Sequence, residues 1–256
     1  MIYITGDVHS KEVAYFETRR MSNVKASVRY LEILKKYGLS STLFINGICF
    51  ENELKGVRKL LKFDVELGGH TYNNFGSMGK VKSFLFRKMF KCIYGPSPYQ
   101  EKDIKKTRKL FEKYGLKMTS WRTHAFGSNE KTFHLLEKNR VTHVSDLLGE
   151  TKPFKKSGII HLPINIPSDQ NTIAYGHLRP ENADPFASCT KGRINPREWL
   201  EIVKKRIAKN EREKRDSILL LHPATMAYID DYKLFEELCK FLSKYKSGKI
   251  SEYGSI

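Results

Sequence analysis

Seven short apolar runs punctuate the chain, at 1–8, 41–46, 64–69, 118–123, 142–146, 159–164 and 217–222, and amphipathic stretches separate them. A run such as SILLLH at 217–222 has almost no polar position, as expected of a strand covered on both faces. The stretches between are helical in period. Val24, Val28, Leu31 and Leu34 share one face between Ser22, a capping residue, and Gly38, a stop. Ile104, Leu110, Phe111 and Tyr114 repeat the scheme over 101–115, and a helix opens at Ser128 or Asn129 ahead of Phe133, Leu135 and Leu136. Asn195-Pro196-Arg197-Glu198 combines a cap, a first-turn proline and an acid before Trp199, Ile202, Val203 and Ile207. A last helix is expected near 231–244. Strands alternating with helices imply a parallel sheet with crossovers, and seven units favour a barrel over an open sheet.

Three of these runs end in histidine: His9 after MIYITGDV, His70 after VELGG and His222 after SILLL. Strand ends on one face of an α/β sheet are where catalytic groups gather. Asp7 and His9 alternate along one strand end, so both side chains face the same way, and a carboxylate beside an imidazole is a metal-ligand or acid–base pairing. The polar stretch 165–194 is long enough for a functional loop, with His177, Asp184 and the aromatic Tyr175 within it.

Composition narrows the class. The chain has 256 residues, 40% hydrophobic and 12% aromatic, enough for one domain, 1–256, with a sizeable core and too apolar for a disordered chain. It has no run of eighteen apolar residues to cross a membrane, and its first residues lack the charged lead and cleavage site of a signal peptide. Cys49, Cys92, Cys189 and Cys239 are widely spaced and read as reduced structural thiols, so a cytoplasmic location is expected. His143 and His161 fall within strands and read as core or rim histidines, and His134 as a solvated helix residue.

Motif order adds a resemblance. YLEILKKYGLSSTLFING, FDVELGGHTYNN, SWRTHAFGSNEKTFHLLEKNRVTHVSD, IIHLPINIPSD and SILLLHP together resemble the NodB-homology polysaccharide deacetylases, carbohydrate esterase family 4, over nearly the whole chain. The resemblance implies a distorted (β/α)7 barrel that removes acetyl or formyl groups from amino-sugar nitrogens, usually with one divalent metal, zinc being the expected ion. Asp7 matches the base of the first motif, and His9 falls at a ligand position normally held by Asp. His70-Thr71-Tyr72-Asn73-Asn74 matches the His-rich second motif, with Asn74 replacing its second histidine. The implied ligands are therefore His9, His70 and Asn74. Arg122 matches the arginine that orients the base, and His124 stands where the family usually has Pro. Asp169 is the acid that would orient the last histidine, and His222 the general acid. A backbone N–H near Ala125 or Phe126 would hold the oxyanion, His124 would touch substrate, and Leu219 and Leu221 would shape an acyl pocket. With two ligand positions altered, the alternative is a catalytically impaired, carbohydrate-binding relative.

Two rivals bear on partners. The opening Asp-x-His also suits a two-metal phosphoesterase, but the later GDxxD, GNH and GHxH elements of that class are missing. The formal net charge of +18 attracts anions. It is mostly spread over the helices, but at 80–93 Lys80, Lys82, Arg87, Lys88 and Lys91 interleave with Val81, Phe84, Leu85, Phe86, Met89 and Phe90, and no acid occurs between Leu67 and Gln100. This segment suits an anionic membrane surface or a lipid-linked sugar, unless its aromatic face packs on the barrel. Nucleic acid is not an expected partner, although basic and aromatic residues together can stack bases.

Overall fold

The computed structural model describes residues 1–10, 21–75, 80–90, 92–149, 151–174 and 193–254. His177, Asp184, Tyr175 and Cys189 lie outside the described residues. Seven parallel strands correspond to the seven apolar runs: β1 (Ile2–Val8), β2 (Ser41–Ile45), β3 (Val65–Gly69), β4 (Ser120–Trp121), β5 (His143–Val144), β7 (Ile159–His161) and β8 (Ser217–Leu220). Two further strands join them. β6 (Phe154–Lys156) forms an antiparallel hairpin with β7, and β9 (Ser247–Gly248) pairs with the start of β1. The sheet runs β6-β7-β5-β4-β3-β2-β1-β8.

The ladder does not close by strand pairing, and Asn165 joins its two ends. Its backbone N–H donates to Ile218 O at 3.2 Å, its side-chain amide donates to Asp216 O at 2.8 Å, and its Oδ1 accepts from Ile218 N–H at 2.9 Å. The result is a distorted seven-stranded barrel with one side-chain-stitched seam. Inside it, Tyr3, Phe44, Leu162, Ile164, Ile218, Leu220 and Ile250 form a small plug. Outside it, the larger core packs helices on the sheet, with Trp121 and Trp199 fully buried.

The helices are α1 (Asn23–Lys36), α2 (Gly47–Asn52), α3 (Leu54–Leu60), α4 (Lys80–Phe90), α5 (Ser97–Lys113), α6 (Glu130–Lys138), α7 (Pro196–Arg212), α8 (Pro223–Asp230) and α9 (Lys233–Leu242). Ser22, Asn129 and Asn195 each cap their helix through a side-chain oxygen, as the sequence predicts. α5 starts earlier than expected because Pro98 is accommodated in its first turn, where no N–H is needed. Cys49, Cys92 and Cys239 are buried and unpaired with one another. No helix among the described residues is long and apolar enough to cross a membrane.

Candidate active site

Strand parity builds the pit at the carboxyl rim. Along β1, Tyr3, Thr5, Asp7 and His9 share the inner face, and on β8 the inner face carries Ile218, Leu220 and then His222. Gly68 and Gly69 let β3 approach its neighbours closely. A Cβ at 69 would run into the Trp121 ring, and one at 68 would sit 2.7 Å from Phe44 and 2.5 Å from Ser120 Oγ. The chain then leaves β3 on strained backbone: Thr71 (φ +62°), Asn74 (φ +43°) and Phe75 (φ +62°) are all left-handed. Ala125 (φ +51°) and Phe126 (φ +54°) follow the same pattern after β4. Such strain persists only where packing imposes it, and it collects at functional sites.

Asp7, His9, His70, Arg122, Asp169 and His222 are all buried. Arg122 is the hub. Its Nη1 donates to Asp7 Oδ1 at 2.9 Å, its Nη2 to Thr5 Oγ1 at 2.9 Å and Ser145 Oγ at 2.7 Å, and its Nε to Ser145 O at 2.8 Å. Its guanidinium lies 4.4 Å from the centre of the Phe44 ring. One oxygen of Asp7 is thus tied to arginine. The other, Oδ2, looks toward His70 Nε2 at 3.7 Å and His222 Nε2 at 3.9 Å. Burial alone would raise the Asp7 pKa, but His70, Arg122, His222 and His9 outweigh it and hold the carboxyl well below the usual carboxylate range.

Opposite Asp7, Asp169 grips His222 twice. Its Oδ1 lies 2.7 Å from His222 Nδ1, and its Oδ2 accepts the His222 backbone N–H at 2.8 Å. The first contact assigns the proton to Nδ1 and leaves Nε2 facing the pit. Desolvation would lower the His222 pKa, yet Asp169 and then Asp7 leave it raised. Asp7, Arg122, Asp169 and His222, each expected at the site, are brought together in one buried network.

The candidate ligand cluster differs from the expected set. Asn74 Oδ1 lies 3.0 Å from His9 Nδ1, so this amide oxygen is engaged by the imidazole. His124 joins His9 and His70 in a cluster that could hold a metal ion. The rings of His9, His70 and His124 meet edge to face, with centroids 4.9, 5.1 and 5.6 Å apart, and their ligating nitrogens lie within 4.8 Å of one another. His70 Nδ1 donates to Arg122 O at 2.8 Å, which leaves Nε2 buried without a hydrogen-bond partner. Burial pushes His70 down to about 3 and lowers His9 as well, keeping both imidazoles neutral as metal ligands must be. Three imidazole donors, with one buried orphan nitrogen on His70, fit a borderline divalent ion such as zinc. His124 lies beyond the end of β4, at the start of a short 3-10 turn, so no strand periodicity in the sequence marks it. Asp146 anchors this turn, accepting from Thr123 N–H at 2.5 Å and Thr123 Oγ1 at 2.8 Å, and burial pushes it up to about 6.

Three other expectations need correction. Leu219 and Leu221 point outward into the core beneath the helices, because His222 faces inward and its neighbour cannot. Leu220 and Phe44 line the inner side instead. The Phe126 N–H is already donated to Thr123 O at 3.0 Å, which leaves Ala125 as the candidate oxyanion donor of that pair. His124 belongs with the imidazole cluster and packs against Phe75, with centroids 5.4 Å apart, instead of serving only as a substrate contact. His143 and His161 are buried as expected. The first bonds Tyr253 O and Thr142 Oγ1, and the second is stacked on Phe154.

Comparison with known proteins agrees with this geometry. No curated protein matches the chain. Among solved structures, it resembles a Mycobacterium smegmatis protein described as a polysaccharide deacetylase, at 13% identity and a TM-score of 0.69 over 97% of this chain and 86% of that one. A family 4 carbohydrate esterase from Streptomyces lividans in complex with acetate matches at 12% identity and 0.53, covering 98% and 95%. A family 4 pseudoenzyme from Bacillus anthracis matches at 15% identity and 0.54, covering 98% of this chain and 64% of that one. These likenesses establish the fold. The family model described as polysaccharide deacetylase matches residues 16–144, a span holding His70, Asn74, Arg122 and His124. With half of the sequence matched by that model, the chain belongs to the polysaccharide deacetylase family.

Proposed function

We propose that this protein is a metal-assisted hydrolase that removes an acetyl or formyl group from the nitrogen of an amino sugar, using a His9–His70–His124 metal site. The observation that carries the reading is the ring of Asp7, Arg122, His222 and Asp169 around those three imidazoles. A divalent metal held there would polarise the acyl carbonyl and make a bound water more acidic.

The chain's own residues supply the rest. Arg122 fixes Asp7 Oδ1, so Oδ2 is the oxygen that takes the proton from the attacking water. The low pKa of Asp7 guarantees that it is ionised, at the cost of weak basicity. Water adds to the acyl carbon, and the oxygen that gains charge is held in part by the Ala125 N–H. His222, whose pKa Asp169 raises, gives its Nε2 proton to the amine nitrogen as the C–N bond breaks. Asn74 orients His9 by accepting its Nδ1 proton. The buried free thiols support a reducing, cytoplasmic setting.

The test is release of acetate or formate from N-acylated amino-sugar oligomers by the zinc-loaded protein, against Asp7→Asn and His222→Ala. Product from the parent alone supports the reading. A second reading is favoured by the two altered ligand positions, His9 and Asn74: a catalytically impaired relative that binds carbohydrate. Sugar binding with no product above background under any tested ion would select it and reject the first.

A further inference from the structure

The apolar stripe of α4 faces solvent. Val81 is 72% exposed, Phe84 55%, Leu85 51% and Met89 70%, while Phe86 packs toward the core. These four account for most of the exposed large hydrophobic side chains among the described residues, the others being Leu61, Leu147 and Tyr228. At 100° per residue, positions 81, 84, 85 and 89 occupy one face; Lys82 borders it and Lys88 falls within it, both exposed. An apolar face of this kind turned outward marks an interaction site.

We propose that α4 docks the protein on an anionic lipid bilayer, its four apolar side chains entering the headgroup boundary and its lysines meeting lipid phosphates. Charge selects this occupant. No acid occurs between Leu67 and Gln100, and the formal net charge is +18, so a second copy of the chain would bring like charges together. An anionic bilayer satisfies both components, apolar insertion and cationic attraction. α4 follows the second-motif loop bearing Asn74 and Phe75, so docking would hold the rim of the site near lipid-borne sugar headgroups. The docking rests on the helix alone and is independent of the deacylase reading.

The experiment is co-sedimentation of the full chain with phosphatidylcholine vesicles and with vesicles of equal phosphatidylcholine and phosphatidylglycerol. Binding to the mixed vesicles only is expected, with a loss of more than about tenfold in Lys82→Glu/Lys88→Glu and in Phe84→Ser/Met89→Ser. Circular dichroism and thermal midpoint would confirm that both variants fold as the parent does. Equal partition of parent and folded variants would overturn the proposal. So would self-association in sedimentation velocity that disappears in Phe84→Ser/Met89→Ser without any vesicle binding, since the stripe would then be a protein interface.

Discussion

Asn74 Oδ1 sits 3.0 Å from His9 Nδ1, and this one contact separates the metal site of this chain from the arrangement its motif spacing implies. On the proposed reading, the amide fixes the His9 tautomer and supports a ligand instead of being one, and His124 supplies the third nitrogen.

The distinction is measurable by calorimetric zinc titration. His9→Ala, His70→Ala and His124→Ala should each abolish tight binding, whereas Asn74→Ala should weaken it by about 10- to 100-fold. Full binding by His124→Ala together with none by Asn74→Ala would restore Asn74 as a ligand and reject the triad.

Arg122 is a buried cation that makes four hydrogen bonds, to Asp7, Thr5 and Ser145. Arg122→Met leaves Asp7 buried without its main partner and should cost about 3–5 kcal/mol in urea unfolding. Arg122→Lys restores the charge but not the planar fork, so it should recover only part of that loss. A methionine variant as stable as the parent would show that the hub is not holding the site.

The pH dependence of stability follows from opposing signs. His70 and His9 have lowered pKa values in the fold, so below the free histidine value of 6.5 the unfolded chain takes protons that the folded chain refuses. His222 has the opposite sign: its raised pKa stabilises the fold below 6.5, and that contribution is lost as pH rises through the folded value. Asp103 and Asp146, both raised to about 6 by burial, take protons in the fold and oppose the loss as His222 does. The His70 contribution is therefore read by difference: the metal-free parent should lose more stability than a folded His70→Gln variant as pH falls from 6.5 toward about 3, the value for His70. Asp7 adds to the loss only below its own unfolded value of 3.8. Urea midpoints of the two proteins across this range check the sign, and parallel curves would contradict it.

Asp169→Asn keeps the shape of the Asp169–His222 pair and removes the charge that raises His222. The basic limb of the pH–rate profile should move to lower pH in that variant, with KM little changed. An unmoved limb would mean that a group other than His222 sets it.

At the seam, Asn165→Leu strands the Ile218 N–H and the Asp216 carbonyl. Unsatisfied buried groups cost about 1–3 kcal/mol each, so a loss of about 2–5 kcal/mol in unfolding free energy is expected. A smaller change would imply that the backbone bond from Asn165 N–H alone keeps the barrel closed.

Much of this architecture was legible before any coordinates. Runs such as SILLLH had to be two-sided strands, and the caps at Ser22, Asn129 and Asn195 marked helix starts correctly. Asp7 and His222 are legible because each ends an apolar run, and Arg122 through its place in the third motif of the resemblance. A motif comparison treats His124 as a substitution for Pro, and because it sits in a 3-10 turn beyond β4, no periodicity points it toward His9 and His70. Alternation along β8 turns Leu219 and Leu221 outward. Asn165 left no periodic trace, since its work is to imitate a neighbouring strand. The exposed side of α4 was the less expected of two orientations, because apolar stripes usually seek the core.

The short stretch from Asn165 to Asp169 has two employments at once. One end fastens the first and last thirds of the cylinder, and four residues later the other end steers the imidazole that delivers the proton. Any loosening of that fastening would reach the proton donor before it reached the base, which is anchored from the far wall by arginine. Mechanical integrity and leaving-group chemistry are therefore tied to the same five residues.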